Sequence, residues 1–253
     1  MSNTTQQPAV GAQVERGVRA LCPERTHLDL FSGIGGFALA AKWAGFETVG
    51  FCEIDPACRR VLEKHWPGVP KHEDVKALDG SEYRGVDLLT GGFPCQPFSQ
   101  SNTRTRRGMD DPRFLWPDML RVIAAARPRV VLAENSTDID KFALDTVLDD
   151  LGAQGYEAWP VEVPAAAVGA NHLRYRTWIL ANARGFDAGQ WRQEPAQGPQ
   201  APDGSWWDAY PGVHRVDDGL RKRVDGRKRM LGNAIVPMVA YQVLRALVRP
   251  NVF

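Results

Sequence analysis

From Thr26 onward, short strand-like runs alternate with amphipathic helical runs, and this alternation restricts the fold more than any other feature of the chain. Strand character is expected over 26–31, 47–54, 86–90, 129–133, 157–163 and 176–181, with a further short strand ending near Asp74. Helices are expected over 37–43, 57–65, 112–126, 139–152 and 230–248. Ala44-Gly45 closes the first helix, and Asp55-Pro56 supplies an N-cap and a helix-opening proline for the second. Strands joined by crossover helices build an α/β fold with a doubly wound, mostly parallel sheet, whose ligands gather at the carboxyl ends of the strands.

The flanks differ from this body. Residues 1–24 are polar, Gln/Thr-rich and aperiodic, and read as a flexible N-terminal leader. From about Asn182 to 212 the chain turns irregular, rich in Gly, Pro and Gln, with Trp191, Trp206 and Trp207. No run of about 18 apolar residues exists and the N-terminus lacks an apolar signal core, so neither a membrane span nor secretion is expected and the cytoplasm is the default. With 253 residues, 43% of them hydrophobic, the chain can bury a full core. Cys22, Cys52, Cys58 and Cys95 show no metal-like pair spacing, so no metal is expected.

Gly33-Ile34-Gly35-Gly36 follows the first strand and opens the first helix, where glycine lets a ligand approach the backbone. Glu53 ends the second strand 20 residues after Gly33, where a carboxylate accepts hydrogen bonds from ribose hydroxyls. Together they point to a nucleoside-containing cofactor, either a dinucleotide or S-adenosylmethionine. Asp74, followed by Val75, stands where it could hold an adenine amino group.

In Gly91-Gly92-Phe93-Pro94-Cys95-Gln96-Pro97, two glycines and two prolines fix the backbone around one thiol at the sheet's carboxyl edge. Cys22, Cys52 and Cys58 lack such a frame and read as apolar filler. Glu134-Asn135 ends the next strand, so Cys95 and Glu134 converge on one crevice: a thiol nucleophile beside a carboxyl acid.

The series Asp29-Leu30-Phe31-Ser32-Gly33-Ile34-Gly35-Gly36, Glu53-Ile54-Asp55, Gly92-Phe93-Pro94-Cys95-Gln96-Pro97-Phe98-Ser99, Glu134-Asn135, Arg174-x-Arg176 and Gly232-Asn233-Ala234-Ile235-Val236-Pro237 resembles, in order, the motifs of the DNA (cytosine-5-)-methyltransferase family. The resemblance runs from about Thr26 to Val248 and is closest in character to small phage- or prophage-like members. It implies a Rossmann-like, S-adenosyl-L-methionine-dependent methyltransferase fold with S-adenosyl-L-homocysteine as product. It also implies a covalent Cys95 adduct at cytosine C6, Glu134 acting at ring N3, Asn135 orienting that carboxylate, and base flipping to expose the ring. Arg174 and Arg176, at i, i+2 on a strand, face one way and suit contacts to the base, a phosphate or the catalytic loop. The implied cofactor contacts are Phe31, Gly33, Ile34, Gly35, Gly36, Glu53, Ile54, Asp74, Val75, Pro94, Leu115, Asn233 and Ala234. Gln96, Ser99, Arg104, Arg106 and Arg107 would meet DNA from a closing loop, and Arg215, Arg221 and Arg223 from the densest basic run.

On this reading, 25–181 is the cofactor-binding catalytic domain, 182–228 a small target-recognition region, and 229–250 a C-terminal helix completing the catalytic domain. Double-stranded DNA is the expected partner, the protein is expected to be a monomer, and a cognate restriction endonuclease could accompany it. The sequence departs from the family at Ser136, where valine is usual, at His172, where many members carry glutamine, and in the short recognition region. The same chemistry on tRNA and a catalytically weak DNA-binding protein are the rival readings. The 31 basic and 30 acidic residues balance, but the acidic Asp29, Glu53, Asp55 and Asp74 gather on the cofactor side and the arginines where DNA would lie.

Overall fold

A computed structural model describes residues 25–94, 114–186, 230 and 232–248. Seven strands form one sheet: β1 (Arg25–Leu30), β2 (Phe46–Cys52), β3 (Lys71–His72), β4 (Leu88–Gly92), β5 (Val130–Asn135), β6 (Tyr156–Pro164) and β7 (Tyr175–Ala183). Their order is β3-β2-β1-β4-β5-β7-β6. The pairs β1–β2, β2–β3, β1–β4 and β4–β5 are parallel, whereas β7 runs antiparallel between β5 and β6. The strand order reverses between β1 and β4, so the loops after these two strands face each other across the crevice where open α/β sheets bind ligands.

The helices α1 (Gly36–Trp43), α2 (Pro56–His65), α3 (Trp116–Ala126), α4 (Leu144–Ala153) and α5 (Pro237–Val248) cover the sheet. On one face, Met119, Val122 and Ile123 of α3 and Val147 and Leu151 of α4 close over Leu28, Leu30, Val131 and Ile179. On the other, Phe37, Ala40 and Ala41 of α1 and Val239, Tyr241 and Leu244 of α5 pack on Leu88, Leu132 and Trp178. Small α1 side chains let that helix lie close to both the sheet and α5. Each large apolar residue buried in these layers contributes roughly 1.5–3 kcal/mol. Trp116 anchors the first layer through its ring against Phe93 and its Nε1, which donates to Asp150 Oδ2 at 2.8 Å.

Four boundaries differ from the sequence expectation, each for a local reason. The strand expected to reach Ile54 stops at Cys52, because the Glu53 carboxylate turns the chain by accepting the Asp55 amide. The helix expected from Pro112 begins at Trp116, since Pro117 is tolerated only in a first turn. The expected helix 139–152 is divided into a 3₁₀ turn, Thr137–Lys141, and α4; Thr177 of β7 bonds Asp140 and holds the turn apart. The final helix breaks at 234–236 and restarts at Pro237, whose ring disfavours helical backbone at Val236.

Candidate active site

The chain leaves β1 through a strained turn. Phe31 (φ 53°), Gly33 (φ 53°) and Gly35 (φ 89°) all adopt left-handed backbone, which costs a non-glycine residue about 1–2 kcal/mol. Ser32 ties the turn down: its hydroxyl donates to the Asp29 carbonyl at 2.7 Å and its amide to the Cys52 carbonyl at 3.2 Å. A methyl group on Gly35 would lie 2.6 Å from the Trp66 ring and one on Gly36 2.7 Å from Ile235, so both glycines are demanded by packing. Gly33 has nothing within 4 Å of its missing side chain. The turn is thus crowded behind and open at Gly33, as a ligand-facing backbone requires.

Glu53 faces this opening. Its Oε2 accepts the Gly33 amide at 2.7 Å and its Oε1 the Asp55 amide at 2.8 Å. Each carboxylate oxygen retains acceptor capacity for a further donor such as a ribose hydroxyl. Ile54 beside it is 72% exposed, an apolar side chain held out at the rim. Asp74 is exposed and accepts the Lys76 amide, whereas the Val75 side chain is buried in the core, leaving only its backbone near the surface. Arg59 and Arg121, neither singled out from sequence, hold these loops. Arg59 donates to the carbonyls of Glu53 and Ile54, and Arg121 to those of Val75 and Leu78. An arginine aimed at carbonyls has no sequence pattern to announce it.

Glu134, the penultimate residue of β5, pairs with Gly92 at the carboxyl end of β4 and is 8% exposed. Arg176 Nε lies 3.0 Å from its Oε1. Burial pushes the Glu134 pKa upward, opposed by the charges of Arg176 and Arg174. Gly92 lies against this carboxyl: a methyl there would meet Glu134 Oε2 at 3.2 Å. Cys95 lies outside the described residues, but the chain leading to it is held. Asn135 Nδ2 donates to the Phe93 carbonyl at 3.0 Å, two residues upstream of the thiol in sequence.

The described hydrogen bonds of Asn135 grip the cysteine strand's exit, and its Oδ1 accepts the Ser136 amide. Arg174 and Arg176 separate. Arg174 precedes β7 with φ 36°, which breaks the strand alternation. Its Nη2 donates to the carbonyls of Gly232 (3.0 Å) and Ala234 (2.9 Å), whereas Arg176 turns to Glu134. Arg174 thereby clasps the segment before α5, and Ile235 of that segment touches Gly36 of the turn.

Ile34, Gly35, Gly36, Ala234 and Arg174 are among the residues lining a groove of about 1370 Å³. Asn233 is exposed, Phe31 and Leu115 are partly buried against the core, and Pro94 is half-buried at the end of the described loop. Cys52 and Cys58 are buried thiols; burial and nearby Glu53 push Cys52 up to about 12, so it stays protonated. Gln96, Ser99, Arg104, Arg106, Arg107, Arg215, Arg221 and Arg223, with Trp191, Trp206 and Trp207, lie outside the described residues. Among the described residues no group of three His, Cys, Asp or Glu could hold a metal ion, and no helix is long and apolar enough to cross a membrane.

Comparison with known proteins places this geometry in context. A family model for C-5 cytosine-specific DNA methylases matches residues 26–205. The type II methyltransferase M.NgoMIV of Neisseria gonorrhoeae is 33% identical over 161 residues, covering 62% of this chain and 51% of that protein. M2.BsuMI of Bacillus subtilis (strain 168) is 33% identical over 164 residues, covering 61% and 41%. The chain therefore spans about half of the length of the first of these relatives and about two-fifths of the second. Among solved structures, a prophage-encoded E. coli protein provisionally described as a DNA modification methyltransferase aligns with a TM-score of 0.54 and 27% identity, over 63% of this chain and 47% of that one. The S. pombe Dnmt2 methyltransferase shares the fold at TM-score 0.54 and 21% identity, over 69% and 58%.

Proposed function

Because the chain belongs to the C-5 cytosine-specific DNA methylase family, we propose that it transfers a methyl group from S-adenosyl-L-methionine to C5 of a flipped-out cytosine in double-stranded DNA. The observation that carries this reading is the Glu134–Arg176 pair at 3.0 Å, buried beside the loop that leads to Cys95 and across the sheet's switch point from the open Gly33–Glu53 edge.

Cytosine C5 is a weak nucleophile, so the ring is first activated by addition of the Cys95 thiolate to C6. Glu134 stabilises the negative charge that this addition spreads onto the ring, acting at N3 as a hydrogen-bond or proton donor, and its upward-shifted pKa suits it to hold that proton. Arg176 holds the carboxyl in place. S-adenosyl-L-methionine supplies the methyl group that C5 attacks. Loss of the C5 proton to a base then expels Cys95 and restores the ring.

Glu53 suits the ribose hydroxyls, exposed Ile54 an apolar base face, and Gly33 close backbone approach. Asp74, Pro94, Leu115, Asn233 and Ala234 complete the proposed cofactor shell. Residues 25–181 with 229–250 form the catalytic domain and 182–228 the recognition region, with Gln96, Ser99 and the arginines of both basic runs on DNA. The protein acts as a monomer in the cytoplasm, beside a restriction endonuclease or as an orphan enzyme.

The test is methyl incorporation from labelled S-adenosyl-L-methionine into duplex DNA and into tRNA, with Cys95→Ala alongside, and trapping on 5-fluorocytosine DNA. Incorporation into DNA, a trapped adduct and an inactive Cys95→Ala are expected. Incorporation into tRNA alone would transfer the chemistry to RNA. Cofactor binding without incorporation or adduct would make this a non-catalytic family member. Bisulfite sequencing of DNA from expressing cells would then identify the target site.

A further inference from the structure

Beneath the glycine turn lies a chain of polar side chains that the proposed chemistry does not use. His27 and Asp29 of β1 and Thr90 of β4 are each 0% exposed, and Thr48 of β2 is 6% exposed. His27 Nδ1 lies 2.9 Å from Thr48 Oγ1, His27 Nε2 lies 2.8 Å from Thr90 Oγ1, and Thr90 Oγ1 lies 2.9 Å from Asp29 Oδ1. Asp29 Oδ2 is buried without a hydrogen-bond partner. Helix α1 starts at Gly36 with no side-chain cap and no acidic residue in its first turn, and the Ala38 amide within that turn acts on the Asp29 carboxyl. The carboxyl thus underlies the uncapped helix start that the turn feeds.

With a neutral imidazole, hydrogen-bond chemistry allows this chain only two fully paired arrangements. With Asp29 ionised, Thr90 must donate to it, His27 must donate from Nε2 to Thr90, and Thr48 must donate to Nδ1. With a proton on Asp29 Oδ1, every bond reverses: Asp29 donates to Thr90, Thr90 to Nε2, and His27 donates from Nδ1 to Thr48. Neutral imidazole serves both, because it carries one donor and one acceptor and exchanges them by changing tautomer. An apolar residue at 27 would leave Thr90 and Thr48 each short of a partner.

We propose that His27 is a positioning residue for the cofactor turn, switching tautomer so that Thr90 and Asp29 stay paired, and the start of α1 stays anchored, in both charge states of Asp29. Burial supports this, since it drives His27 down to about 3, keeping the ring neutral, and Asp29 up to about 8, within reach of ordinary conditions. Among the described residues, Glu53 is the charged group that adds to the Asp29 shift; the Thr90 hydroxyl and the Ala38 amide oppose it. The effect on cofactor affinity rests on the function proposed above, whereas the tautomer does not.

The primary experiment is ¹⁵N NMR of the histidine ring in the full-length wild-type protein from pH 6 to 9. The expected result is conversion of His27 from the Nδ1–H to the Nε2–H tautomer in one titration, without imidazolium. A single tautomer throughout, or a charged ring, would overturn the proposal. Alongside it, S-adenosyl-L-homocysteine binding and steady-state kinetics are compared for wild type, His27→Gln and His27→Leu. Gln also presents one donor and one acceptor, so it should keep cofactor KM within about twofold, whereas Leu should raise KM about tenfold with a smaller change in kcat. Equal KM for Gln and Leu would reduce His27 to a packing residue. If wild type binds no S-adenosyl-L-homocysteine, the proposed function fails and the tautomer measurement still decides the relay.

Discussion

Arg176 reaches Glu134 through Nε at 3.0 Å while its Nη1 donates to the carbonyl of Tyr175, so the guanidinium braces the acid against its own strand. The pair is largely desolvated, with side chains 29% and 11% exposed. Removing one partner of a buried pair strands the other charge, at a cost of about 3–5 kcal/mol when burial is complete, and less here because Arg176 retains some solvent. Arg176→Ala is therefore expected to lower both melting temperature and kcat. Glu134→Gln, which keeps the shape, should lower kcat by about 10²–10³-fold with a smaller stability loss. Thermal melts beside single-turnover methylation separate the two. Lys at 176 cannot reproduce the braced geometry and should rescue stability more than rate.

Arg174 should behave differently, because it clasps the Gly232 and Ala234 carbonyls and not the acid. Arg174→Met removes charged hydrogen bonds worth roughly 1.5–3 kcal/mol when buried, discounted here for partial exposure. The expected outcome is a cofactor KM raised about tenfold with a smaller loss of kcat, because the Arg174 charge also acts on Glu134. A kcat loss matching that of Arg176→Ala would contradict the separation.

The two glycines of the turn predict opposite failures. Gly35→Ala places a methyl 2.6 Å from the Trp66 ring at φ 89° and should destabilise the fold by more than the ~1 kcal/mol of the backbone preference alone. Gly33→Ala meets no atom within 4 Å. It should cost only the backbone strain in stability yet weaken cofactor binding, read by calorimetry, because its methyl enters the open edge.

Ser136 stands where the family resemblance leads one to expect valine, and its buried Oγ has no hydrogen-bond partner. Restoring valine removes an unpaired hydroxyl at the cost of added bulk. Ser136→Val is expected to stabilise the protein by about 1 kcal/mol in urea unfolding.

Asp29 makes stability fall as pH rises. Its folded pKa of about 8 lies above the ordinary value of 3.8, so the folded state holds a proton that the unfolded chain has released between these values. Stability is then greatest below the unfolded pKa and declines up to about pH 8, at no more than about 1.4 kcal/mol per pH unit. His27, depressed to about 3 from 6.5, acts in the other sense below pH 6.5. From pH 6.5 to 8 His27 no longer contributes, and Asp29→Asn should flatten the slope of unfolding free energy there.

Periodicity made the α/β alternation and the convergence of the β4 and β5 loops legible, since buried strands and amphipathic helices each leave a spacing in sequence, whereas the switch point between β1 and β4 appeared only with the strand order. Motif order supplied the family. What stayed hidden were partnerships between side chains distant in the chain. That Asn135 holds Phe93, that Arg174 and Arg176 part company, and that Arg59 and Arg121 pin loops through carbonyls depend on directions set after the strands pair. The same holds for His27, an unremarkable polar residue in a strand by sequence. Only assembly of β1, β2 and β4 brings Thr48, Thr90 and Asp29 within hydrogen-bond reach of it, because backbone pairing across the sheet, and not chain proximity, decides which side chains share a face.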